Sequence, residues 1–152
     1  MNNKKELKPI FEKAVKSNPE YKALLNNIIK SENDVRLVYN WEIGQNKNDP
    51  KEIEKVLKVI GDLDFSKLCD MEFKNSKVIS FGKSFKNYPN YNFETVKNLF
   101  EAHTDGAYSE GIDDVIFYLY KRNDVKPIIE KVSNSNPKYK EKLNSIIEYE
   151  SQ

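Results

Sequence analysis

"SNPEYKALLNNIIK" runs from Ser17 to Lys30, and "SNPKYKEKLNSIIE" runs from Ser135 to Glu148. Extended both ways, residues 8–32 align without gaps on 126–150, and 15 of the 25 pairs are identical. Chance would give roughly two, so the chain carries an internal duplication. Each copy reads as a helical hairpin. Asn18-Pro19 and Asn136-Pro137 each set a capping side chain just before a proline at the first helical position, a strong start signal. Behind it, Tyr139, Leu143, Ile146 and Ile147 fall at helical spacing and make one apolar stripe. Tyr21, Leu25, Ile28 and Ile29 repeat that stripe in copy one. Pro127 suits the first turn of a short preceding helix through Val132. Copy one has Leu24 where copy two has Lys142, so its stripe is wider.

Outward from the repeat, the pattern stays helical. "NDVRLVYNWEI" (Asn33–Ile43) sets Val35, Val38 and Tyr39 on one side. "DPKEIEKVLKVIGD" has Asp49 as a cap, Pro50 at the first position, a stripe of Ile53, Val56, Leu57 and Ile60, and Gly61 as a stop. "NFETVKNLFEAH" starts from a cap at Asn92, and "SEGIDDVIFYLYKRND" is apolar at Ile112, Val115, Ile116, Leu119 and Tyr120. The stretch 66–92 is ambiguous. "KVISFGKSF" reads as helix broken at Gly82, because no second clear strand exists to pair with it. The expectation is therefore an all-α chain: one domain over 1–152, a compact HEAT-like array of antiparallel helix pairs, with the duplicated hairpin at its two ends.

Composition narrows the function. Twenty-five basic side chains meet twenty-four acidic ones, a net charge of +1. The whole molecule therefore has no general attraction for nucleic acid or an anionic membrane, and any charge-driven partner must meet a local patch. A single cysteine, Cys69, excludes an internal disulfide and points to a reducing compartment. The polar start "MNNKKELKPIFEKA" has no apolar core, so no secretory leader is expected, and cytoplasmic is the default. "VIFYLY" (Val115–Tyr120) is too short to span a bilayer.

Catalytic and metal chemistry find no support. One His and one Cys, 34 positions apart, make neither a metal site nor a nucleophile–base pair. A lone Cys in a helical stretch is usually a core residue, and "HTDG" at His103 reads as a helix end and turn. No glycine-rich phosphate loop is present. No enzyme activity and no cofactor are expected.

Two surface patches remain. From Asn98 to Tyr120 there is no Lys or Arg, while Glu101, Asp105, Glu110, Asp113 and Asp114 all lie inside, with Tyr108 and Tyr118 among the aromatics. Acid beside exposed aromatic suits a surface that meets a basic protein. Gly106 and Gly111 bracket Ala107–Glu110, which reads as an adaptable loop. The opposite patch interleaves Lys74, Lys77, Lys83 and Lys86 with Phe81, Phe85, Tyr88 and Tyr91, the ingredients of a single-strand binder. It has no arginine, and nucleic acid is the weaker expectation.

The segment "LFEAHTDGAYSEGIDDVIFYLYKRNDVKPIIEKV" resembles a pattern in small α-helical immunity proteins of bacterial polymorphic-toxin systems, especially contact-dependent growth inhibition. The resemblance covers roughly 93–150. It implies a cytoplasmic binder that neutralises a cognate toxin domain, often a nuclease, by covering its active site. Glu101, Asp105, Tyr108, Glu110, Asp113, Asp114 and Tyr118 are then the expected contact residues. The alternative is a HEAT-like scaffold or regulator that binds host protein or RNA. The shared stripe also suggests a weak homodimer, in which copy one of one molecule takes the place of copy two in another.

Overall fold

A computed structural model of the chain describes residues 3–75, 80–104 and 107–152. Among these it has nine α-helices and no strand. In chain order they are α1 (Asn3–Ser17), α2 (Pro19–Ile43), α3 (Pro50–Val59), α4 (Phe65–Asn75), α5 (Gly82–Asn87), α6 (Phe93–Glu101), α7 (Ala107–Lys121), α8 (Lys126–Ser135) and α9 (Pro137–Glu150). A 3₁₀ turn at Ile60–Asp62 follows α3. The helices fall into two compact units, Met1–Asp34 and Val35–Gln152.

The helix starts follow the capping chemistry. Asp49 accepts from the Lys51 N–H at 2.9 Å, ahead of Pro50. Asn92 and Thr95 form a reciprocal box, with the Thr95 N–H on Asn92 Oδ1 at 3.0 Å and the Asn92 N–H on Thr95 Oγ1 at 2.9 Å. Asn18 accepts from the Glu20 N–H and Asn136 from the Lys138 N–H, both at 3.0 Å. Each side chain satisfies a donor that the first turn would otherwise leave unpaired.

Two boundaries differ from the sequence reading. The second helix of copy one and the helix expected from Asn33 are one continuous α2 of 25 residues. Ser31–Asp34 holds neither glycine nor proline, and Lys30 pairs with Asp34 one turn on at 2.8 Å, so nothing interrupts the ladder. Ala107–Glu110, expected as a loop, is the first turn of α7. The stretch 66–92 holds α4 and α5; Lys77 and Val78 lie outside the described residues.

In unit 2 the apolar stripes meet. The 3₁₀ turn and α3 pack on α6, α6 on α8, α7 on α8 and α9, α8 on α9, and α5 on α7. Gly61 lies against α6, where a Cβ would meet the Asn98 backbone at 3.4 Å, a close contact. Val56, Leu57, Ile60, Leu99, Ile112, Val115, Ile116, Leu119 and Ile129 are fully buried, each burial worth about 1.5–3 kcal/mol. Within the same core Trp41 stacks on Phe85 and Phe81, with Phe65 edge-on to Phe81. Arg122 ties α5 to the end of α7, donating to the carbonyls of Lys86 at 2.8 Å and Tyr88 at 3.0 Å.

The two copies have opposite fates. In copy two Ile129, Val132, Leu143 and Ile146 are buried in the core of unit 2. In unit 1 not one of residues 8–34 is buried. Phe11, the counterpart of Ile129, is 50% exposed, and Ile28, the counterpart of Ile146, is 48% exposed. Pro9 sits inside α1, while its counterpart Pro127 sits in the first turn of α8 where a missing N–H costs nothing.

Candidate functional site

The acidic patch of the sequence becomes a groove between the first turns of α7 and the last turn of α9. Its walls are Ser109, Glu110, Gly111, Asp113 and Asp114 from α7 and Tyr149 and Glu150 from α9. Glu110 in the first turn of α7 is favoured there by the helix dipole. Asp113 and Asp114 follow one turn on. A Cβ at Gly111 would meet nothing within 4 Å, so this glycine leaves the groove open rather than serving a turn. The groove joins a cleft of about 640 Å³ whose walls include His103, Thr104, Asp113, Lys142 and Tyr149.

Two of the carboxylates are already engaged. Lys86 Nζ lies 2.6 Å from Asp114 Oδ2, and Lys142 Nζ lies 3.6 Å from Asp113 Oδ1. Burial lowers the Lys142 pKa, and Asp113 opposes that shift. Lys142 is thus a partly desolvated amine paired with a single acid, Asp113. Among the described residues Glu110 and Glu150 have no ion-pair partner, so the groove keeps uncompensated negative charge at its mouth. Tyr149, next to Glu150, is 73% exposed, and Tyr118, four residues after Asp114, is 42% exposed. Lys86 Nζ also stands 5.3 Å from the centre of the Tyr118 ring.

The expected contact residues divide accordingly. Glu110, Asp113 and Asp114 are brought together, with Tyr118 one helix turn beyond Asp114. Asp105 lies outside the described residues. Glu101 does structural work: it accepts from the Tyr139 hydroxyl at 2.7 Å and pairs with Lys97 at 3.5 Å, linking α6 to α9. Burial, then this bond to Glu101, pushes the Tyr139 hydroxyl up to about 12. Tyr108 faces the aromatic cluster, its ring 5.4 Å from that of Phe65 and its hydroxyl donating to Glu72. Burial is the first cause that pushes its pKa up, and the Glu72 carboxylate adds to it.

Sequence reasoning missed Tyr149 and Glu150, which stand almost forty residues from the acidic run and meet it only because α9 packs along α7. The signal was present in Lys142. It replaces Leu24 of copy one at a stripe position, and a cation there needs an acid across from it.

The basic-aromatic patch loses its platform. Phe81, Phe85, Tyr88 and Tyr91 are all buried, and the Tyr91 hydroxyl donates to the Phe85 carbonyl at 2.7 Å. Cys69, expected in the core, is exposed. His103 is exposed after α6. Among the described residues no three His, Cys, Asp or Glu are grouped to hold a metal ion, and no helix is long and apolar enough to cross a membrane. No family model, curated protein or solved structure matches this chain.

Proposed function

We propose that this chain is a cytoplasmic immunity protein that neutralises a toxin domain by seating the acidic α7–α9 groove on the toxin's basic catalytic cleft. The observation that carries the reading is the groove itself: four carboxylates from two helices around an open concavity, two of them without a lysine, with an exposed tyrosine on the rim. A net charge of +1 means the attraction is local, not molecular. The acids steer a cationic cleft into register, which speeds association and makes it sensitive to salt. Tyr149 and Tyr118 then supply broad, low-entropy contact area that slows dissociation. Occluding the cleft is sufficient for protection, so this chain needs no catalysis of its own. The resemblance of 93–150 to immunity proteins points the same way.

The test searches the neighbouring reading frames for a secreted protein with a toxin domain and expresses that domain with and without this chain; finding none would count against the reading. Glu110→Lys combined with Glu150→Lys alters the unpaired acids and leaves both lysine pairs intact. Protection should fall, and the association rate should drop by about tenfold or more at low salt, with the circular dichroism spectrum unchanged. If protection and rate both survive, the groove is only a solvated surface and the reading fails.

A further inference from the structure

The apolar side chains of unit 1 are left exposed. On α2, Tyr21, Leu24, Leu25, Ile28 and Ile29 lie within one stripe of helical spacing. Tyr21 is 52% exposed, Leu24 59% and Ile29 49%, and Ile10 and Phe11 of α1 are exposed as well. Together these side chains present on the order of 600 Å² of apolar surface. That is at the limit of what a monomer leaves uncovered, and it approaches the roughly 800 Å² per partner of a standard interface.

The duplication says what such a stripe is for. In copy two the equivalent stripe of α9 is covered: Leu143 and Ile146 are buried and Tyr139 and Ile147 partly buried, where α9 packs on α7 and α8. Where copy two carries Lys142, copy one carries Leu24, so its stripe is apolar at that position too. A chain that contains the stripe always has one complementary amphipathic helix at hand, the α2 of a second copy.

We propose that the N-terminal stripe of α2 is a homodimer interface, in which two copies pair their α2 helices antiparallel about Leu25. An isologous contact of this kind closes on itself. Pairing about Leu25 sets Tyr21 against Ile29 of the partner subunit and Glu20 against Lys30 of the partner subunit, so opposite charges flank the apolar centre. This arrangement uses copy one alone and requires no exchange of copy two between molecules.

The test is sedimentation equilibrium of the full chain from micromolar to near-millimolar concentration. The wild-type chain should form dimers. Leu24→Glu with Ile28→Glu should raise the dimer dissociation constant by about a hundredfold or more. Ala23→Glu with Asn27→Glu adds the same charge to the opposite face, at positions where copy two has Glu141 and Ser145, and should leave the dimer intact. Trp41 fluorescence confirms that unit 2 stays folded in every variant. Hydrogen exchange of the wild-type chain gives a second reading that needs no variant: residues 8–34 should exchange more slowly as concentration rises. A monomer throughout, a dimer that survives the stripe variant, a control that also dissociates, or exchange independent of concentration would each overturn the proposal. A stripe variant that stays monomeric like the wild type but loses the toxin domain would assign this face to the toxin instead, and overturn it too.

Discussion

Glu42 is the least comfortable side chain of unit 2. It lies 9% exposed near the Trp41–Phe81–Phe85 stack, accepts from the Ser80 N–H at 3.3 Å and has Lys47 Nζ at 3.6 Å. Its second oxygen has no hydrogen-bond partner among the described residues. Burial pushes its pKa up, and the Ser80 N–H and Lys47 only partly restore it. A carboxyl that holds its proton more tightly when folded contributes fully below its unfolded pKa, and that stability is lost as pH rises through the folded value. Glu42→Gln should therefore raise the thermal midpoint at neutral pH, and the gain should vanish below about pH 4, where the carboxyl is protonated in both states. Melting curves at the two pH values decide it. A gain of equal size at both would place the cause in packing, not ionisation.

At the scale of the element, the two Asn-Pro caps offer a comparison within one chain. Asn18 and Asn136 accept the same bond at the same length, yet one starts a helix in unit 1 and the other a helix packed into unit 2. Asn136→Ala should cost about 1 kcal/mol of the cooperative unfolding of unit 2. Asn18→Ala should leave that transition unmoved, as followed by urea titration of Trp41 fluorescence; equal losses would mean that the units unfold as one. The same contrast shows how far sequence could reach. The caps and the stripes of α3, α7 and α9 are local chemistry, and are legible from a few residues each. The continuity of α2 was not, because a repeat boundary suggested a break where the backbone has none. Groove residues Glu110, Asp113 and Asp114 could be read from their run on α7. Tyr149 and Glu150 could not, since only tertiary packing brings them across, and the inward turn of Tyr108 depends on Phe65 and Glu72, both more than thirty-five residues away.

At the scale of the whole molecule, stability is unevenly shared. Unit 2 holds every buried side chain of the described residues, and unit 1 holds none between 8 and 34. Unit 1 nonetheless contributes roughly a quarter of the helical residues, and segments without buried contacts open at low free energy. The N-terminal half of α2 persists as the extension of a helix anchored by Val35, Val38, Tyr39 and Trp41, so its nucleation is already supplied. Such an extension frays from its free end before the anchor gives way. The single tryptophan, Trp41, sits in the anchor and reports only on unit 2, whereas the far-ultraviolet signal counts every helix. In dilute solution, denaturant should therefore remove about a quarter of the helical signal before fluorescence changes, a failure of the coincidence that two-state unfolding requires. Raising the concentration should draw the two curves together, because association of the exposed stripe would stabilise unit 1 by mass action. Superimposable curves in dilute solution would show that unit 1 is held by something other than its own chain's helix or a second copy.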